Sequence, residues 1–382
     1  MKTQLPLLAL ALGAASCMNT PTSFGPAESV RVSAGEADAS GRVRITLTNE
    51  RGMEVEMTNL GATVTAVRVP DRDGAMADVT LGFDDLDRYD SSDNQYFGCT
   101  VGRVANRIAE GRFELGGSAY TLATNNDPNH LHGGDRGFGV RVWSWEQTGP
   151  GEVTFRRTSA DGEEGYPGDL EVSATYSLTD ENVLGFTLTA TTDAATPVSL
   201  TNHAYWNLAG HGAPTVLDHE LELRADHFTP TDDTLIPTGE IAAVSGALDF
   251  RDTKTIGRDL AEVADTAAMG FDHNYVLFEA PIRQGQTTYQ RLGLGAFDAR
   301  LHHPASGRTM ELYTDQPGLQ FYSGNFLFGQ TGKGGATYAL RSACCLEPQG
   351  LPDAVNQPGF PSVVLEPGDT YTHTTALRFG VE

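Results

Sequence analysis

From residue 30 onward, hydrophobic and polar positions alternate with a period of two. Val30-Arg-Val-Ser, Val43-Arg-Ile-Thr-Leu-Thr, Glu54-Val-Glu-Met, Thr63-Val-Thr-Ala-Val-Arg-Val, Glu220-Leu-Glu-Leu-Arg and Tyr371-Thr-His-Thr-Thr all show it. Strict alternation rich in β-branched residues predicts strands that bury one face. Turn dipeptides separate them along the whole chain, among them Asp73-Gly74, Pro150-Gly151, Asp161-Gly162 and Pro367-Gly368. Helical spacing is confined to residues 255–266 and 84–89. No repeat of fixed period and no linker-like shift of composition follows residue 30. The pattern predicts an all-β, sandwich-type fold in a single large domain, residues 30–382, with few short helices.

The first 29 residues read differently. Lys2 precedes the apolar stretch Leu5-Pro-Leu-Leu-Ala-Leu-Ala-Leu-Gly-Ala-Ala-Ser16, which is shorter than the roughly 20 residues of a membrane span and has the form of a secretory signal. Leu12-Gly-Ala-Ala-Ser-Cys17 resembles a bacterial lipoprotein box, with Ala14 standing where Leu is usual. The expectation is a signal peptide over residues 1–16 and a small, polar tether over 17–29 lipidated at Cys17. The protein would then be exported to the cell envelope, touching membrane only through that anchor. Ordinary signal cleavage of a soluble exported protein is the alternative.

Of 382 residues, 26 are Lys or Arg and 50 are Asp or Glu, a net charge of −24. Such a surface repels a phosphate backbone, so nucleic acid is not an expected partner. The three remaining cysteines, Cys99, Cys344 and Cys345, do not form the even set of a disulfide framework and read as small buried hydrophobes. No phosphate loop, G-x-S-x-G elbow or H-E-x-x-H is present. His130-x-His132 and His302-His303 lack a third ligand at motif spacing and read as hydrogen-bonded histidines.

Four segments carry candidate chemistry. In Thr201-Asn-His-Ala-Tyr-Trp-Asn-Leu-Ala-Gly-His211, strand alternation puts His203, Tyr205 and Asn207 on one face and Trp206 in the core. A polar and aromatic face suits a sugar, whose C–H patches stack on rings while its hydroxyls hydrogen-bond. Cys345-Leu-Glu-Pro-Gln-Gly-Leu-Pro-Asp sets Glu347 at the end of an apolar strand, ahead of a loop. Gly102-Arg-Val-Ala-Asn-Arg-Ile108 offers Arg107, and Asn129-His-Leu-His-Gly-Gly-Asp offers Gly133 and Gly134, where backbone can approach a ligand.

Together with Glu164-Gly-Tyr-Pro-Gly168, Asp233-Thr-Leu-Ile-Pro-Thr-Gly-Glu240, Gly270-Phe-Asp-His-Asn-Tyr275 and Gln316-Pro-Gly-Leu-Gln-Phe-Tyr-Ser-Gly-Asn325, these segments in this order resemble the aldose 1-epimerase (galactose mutarotase) family. The resemblance implies a galactose-mutarotase-like β-supersandwich with an open sugar cleft and no cofactor, acting on a free aldose of glucose or galactose type. Carried over by motif, Glu347 would be the general base and His203 the general acid. Asn106, Arg107, His132, Tyr205, Asp272 and Gln320 would bind the sugar, and no metal is implied. A catalytically silent sugar-binding module and a glycoside hydrolase are the competing readings.

Overall fold

The computed structural model describes residues 29–277 and 297–382. Cys17, with the expected signal peptide and nearly all of the tether, lies outside the described residues.

The period-two segments become strands for the expected reason. In Arg44–Thr48 and Glu54–Thr58, Ile45, Leu47, Val55 and Met57 are fully buried while the residues between them stay half-exposed or pair at the surface. These two strands sit in a five-stranded antiparallel meander that runs Arg31–Ala34, Arg44–Thr48, Glu54–Thr58, Thr63–Pro70, Met76–Asp78. A nine-stranded sheet is ordered Ser144–Gly149, Glu152–Ser159, Leu170–Leu178, Val183–Thr192, Tyr371–Val381, Arg308–Thr314, Ala299–His302, Glu220–Leu223, Lys254–Thr255. A six-stranded sheet is ordered Tyr205–Trp206, Cys344–Gln349, Gly318–Tyr322, Asp272–Val276, His227–Thr229, Ala242–Ala243. All three sheets feed one apolar core. Ile45 and Val55 of the first, Phe155, Leu188 and Leu312 of the second, and Leu319 and Phe321 of the third belong to the same buried cluster. This is the layered all-β sandwich that the alternation predicts.

The helical expectations fare less well. Residues 84–89 give a short 3-10 helix, Leu86–Asp90, whose start is capped by Asp85 accepting the Asp87 N–H at 2.9 Å. Of residues 255–266 only Leu260–Glu262 is helical, again 3-10. The apolar spacing there records separate anchors, Ile256 and Val263, rather than a helix face. The N–H groups of Ile256 and Gly257 donate across the chain to His219 and Leu217 carbonyls, so no helical turn claims them.

Gly133 shows what a close approach means in this fold. Its φ is +85°, and a Cβ built on it would lie 1.8 Å from the Gly102 carbonyl oxygen; one on Gly134 would lie 2.2 Å from the Glu164 carboxylate. The glycines therefore admit the protein's own chain, not a ligand, as the sequence had suggested. Gly133→Ala combines left-handed backbone with a backbone clash, and we expect a loss of at least about 2 kcal/mol in denaturant unfolding. Unfolding within 0.5 kcal/mol of wild type, roughly the scatter of a surface substitution, would show that the loop relaxes freely.

Candidate active site

One face of the six-stranded sheet carries most of the site. Across the ladder, Tyr205 pairs with Cys345, Cys345 with Tyr322 and Tyr322 with Asp272; one row along, Glu347 pairs with Gln320. Because side chains alternate, these six residues share a face. Their neighbours Trp206, Cys344, Leu346, Phe321, Leu319 and Tyr275 point the other way, into the common core.

The other wall is a loop. Arg107–Ile108 pairs with His130–Leu131, and on either side of that pairing Asn106 and His132 adopt φ of +61° and +51°. They lock each other: the His132 N–H donates to the Asn106 carbonyl at 3.0 Å, and the Asn106 N–H donates to His132 Nδ1 at 3.2 Å. Arg107 is steadied at Nε by Asn126 Oδ1 at 3.0 Å. All eight expected site residues, Asn106, Arg107, His132, His203, Tyr205, Asp272, Gln320 and Glu347, line one cavity.

Asn207 is not among them. The segment is two short strands, Thr201–Asn202 against Thr100–Val101 and Tyr205–Trp206 against Cys344–Gln349, not one continuous strand. Alternation therefore ends at Trp206, which meets Phe379 in the core. Asn207 turns to donate to the Ser342 carbonyl at 2.7 Å and accepts from the Ala209 N–H.

The sequence also passed over Tyr96, Tyr322, Phe326 and Gln95 as cavity residues. Tyr322 follows Gln320 by two positions in one strand, so the alternation already marked it. Tyr96 had no such signal: it is a loop residue at φ +63° whose ring lies 4.6 Å from that of His132.

His203 Nε2 lies 3.5 Å from Glu347 Oε2, and both side chains are almost wholly buried. Burial, helped by nearby Asp272 and opposed by Arg107, raises the Glu347 carboxyl well above the usual carboxylate range. Burial lowers His203 to about 4. A carboxylate that holds a proton more tightly is a better base, and burial leaves His203 a neutral imidazole with a single ring N–H near neutral pH. Gln320 donates to Asp272 Oδ1 at 2.6 Å. Glu347 Oε2 and Gln320 Oε1 are buried acceptors without a hydrogen-bond partner, the state expected of groups that await hydroxyl donors.

Ligand atoms of His132, His203 and Glu347 lie within 4.8 Å of one another, as do those of Asp218, His219 and His303. Tautomers argue against a cation at either set. Nδ1 of His132 accepts the Asn106 N–H, so in the neutral ring the proton sits on Nε2 and no lone pair faces the cleft. Nε2 of His219 accepts the Leu208 N–H at 2.9 Å, which leaves the proton on Nδ1, toward Asp218. His130 is held between the Ala123 carbonyl and the Tyr166 hydroxyl.

The aldose 1-epimerase family model matches residues 43–378. The chain belongs to the aldose 1-epimerase family. It is 49% identical over 331 residues to galactose mutarotase from Bos taurus, covering 86% of this chain and 92% of that one. Aldose 1-epimerase from Escherichia coli K12 is 35% identical over 342 residues, covering 88% and 95%. Among solved structures, the aldose epimerase homologue from C. elegans superposes with a TM-score of 0.80 at 34% identity, covering 88% of this chain and 98% of that one. Galactose 1-epimerase from Lactobacillus acidophilus gives 0.76 at 27%, covering 92% and 99%. Within this epimerase the polar cleft lies on the face of the six-stranded sheet that points away from the main core.

Proposed function

We propose that this chain interconverts the α and β anomers of a free aldose of glucose or galactose type, with Glu347 as base and His203 as acid. The observation that carries this reading is the unpartnered Glu347 Oε2 facing His203 Nε2 at 3.5 Å, in a cleft shared with the six other expected residues. Glu347 removes the proton of the anomeric hydroxyl as the C1–O5 bond breaks and C1=O1 forms. Nε2–H of His203 protonates O5. Rotation about C1–C2 and closure by the reverse transfers deliver the other anomer. Reactant and product have the same atoms and oxidation state, so no cosubstrate enters the balance. Asn106, Arg107, His132, Tyr205, Asp272 and Gln320 bind and orient the ring. Tyr205 supplies an aromatic edge, Arg107 a planar donor fork and Gln320 an acceptor.

A hydrolase would need two carboxylates flanking a glycosidic bond. Among the described residues Asp272 is the only second carboxylate lining this cavity, and Gln320 already binds its Oδ1. Polarimetry on freshly dissolved α-D-galactose and α-D-glucose decides among the readings. Anomerisation above the spontaneous rate is expected, slower on the 6-phosphates because the chain's charge of −24 opposes a dianion. Tight sugar binding without anomerisation would leave a binding module instead. Export and lipidation at Cys17 form part of the proposal, supported by the apolar run that ends in Ala-Ala-Ser-Cys. A mature N-terminal peptide without lipid mass would reduce this to simple export.

A further inference from the structure

His203 is held by ring contacts on both sides. Its plane lies 19° from that of Tyr205 with centroids 5.1 Å apart, and 22° from that of Tyr96 at 5.7 Å, while His132 meets it edge-on at 5.0 Å. With the plane fixed, only the two ring nitrogens can exchange protons. Nε2 faces Glu347. Nδ1 lies 3.6 Å from the Sγ of Cys345, a residue that reads from sequence as mere packing. The ladder makes this contact unavoidable, because Cys345 precedes Glu347 by two on the cleft face and pairs directly with Tyr205.

We propose that Cys345 is a positioning residue for the acid: its S–H donates to Nδ1 of His203 and so keeps the neutral imidazole in the tautomer that carries its proton on Nε2. The proposal rests on the reading of His203 as the acid.

The backbone carbonyl of His203 favours the protonated ring, whereas the thiol has a hydrogen to give a neutral one: burial first, then nearby Glu347, raises Cys345 well above the usual thiol range, so it stays S–H. When Glu347 is ionised, a proton on Nε2 is attracted to Oε2, whereas a bare Nε2 would set lone pair against carboxylate. A neutral ring then has no proton left for Nδ1, which must accept. Among the groups facing His203, namely Glu347, His132, Tyr96, Tyr205 and Cys345, the thiol is the one seated at Nδ1. The orientation matters for turnover because an imidazole with its proton on Nδ1 has nothing to give the ring oxygen.

The test is long-range ¹H–¹⁵N NMR on ¹⁵N-histidine-labelled enzyme near neutral pH, with the His203 signals assigned by their loss in His203→Asn. Wild type and Cys345→Ser, which keeps a short donor, should both show Nε2–H, with kcat of the serine variant within about 3-fold. Cys345→Ala should move toward Nδ1–H and lose about 10-fold in kcat, with KM within about 2-fold and an unchanged melting midpoint. An Nδ1–H wild type would overturn the proposal. So would an alanine variant with wild-type tautomer and kcat, or a serine variant as impaired as alanine. If alanine does not fold, the tautomers of wild type and serine still decide. Retained turnover in His203→Asn would instead sink the acid assignment, and the tautomer measurement would still judge the role of Cys345.

Discussion

Glu347→Gln is expected to lower kcat by about 10²–10⁴ while sugar affinity changes by no more than a few-fold. The amide fills the same buried space and still hydrogen-bonds, so neither the ladder to Gln320 nor the core beneath should move. What disappears, in the proposed mechanism, is the ability to accept the anomeric proton, and among the described residues the cleft offers no equivalent. Asp272 is partly engaged by Gln320, and water is a far weaker base. The same residue fixes the acid limb of the pH profile. As the proposed base Glu347 must be ionised, and its carboxyl is raised well above the ordinary value of 4.5. Hence kcat/KM should begin to fall, as the pH is lowered, well above 4.5 and not at it. A Gln variant that is folded, binds galactose and turns over near the wild-type rate would transfer the role of base to Asp272.

His203→Asn should cost a comparable factor, because it removes the donor to the ring oxygen while leaving a polar side chain of smaller volume. The double variant is the sharper measurement. In the proposed mechanism both groups act on one ring-opening step; they lie 3.5 Å apart, so removing the second should cost little once the first is gone. The combined loss should fall well short of the product of the two. Losses that multiply would mean the residues serve separate steps, and the concerted transfer would have to be abandoned.

How much of this could be read in advance depended on periodicity. Where a strand continues for several residues, as in Glu54–Thr58 or Leu170–Leu178, alternation in sequence is alternation in space, and the buried set followed directly. Within the site, the partition of Tyr205 from Trp206 was legible for the same reason. Asn207 was misread because the strand stops one residue earlier than the pattern implies, and a turn then spends its side chain on the Ser342 carbonyl. Residues 255–266 were misread because apolar spacing does not reveal that the backbone N–H groups are used elsewhere. Arg107 and His132 could be singled out only through whole motifs; the pairing of Arg107–Ile108 with His130–Leu131 sets them side by side, and the Asp353 N–H donating to the Arg107 carbonyl ties them to the segment after Glu347, contacts that no local pattern encodes. Tyr96 and the cleft role of Cys345 are likewise consequences of packing.

The strand Cys344–Gln349 and its neighbour Gly318–Tyr322 present the cleft on one side and the main core on the other, residue by residue. Glu347 therefore cannot shift without dragging Leu346, nor Gln320 without Leu319 and Phe321. The proposed catalytic centre has no hinge of its own on this sheet: the amides of Gln320 and Glu347 should exchange with solvent only through whole-molecule opening. On heating, the enzyme should keep its activity until the fold itself melts, with inactivation and loss of structure forming a single transition.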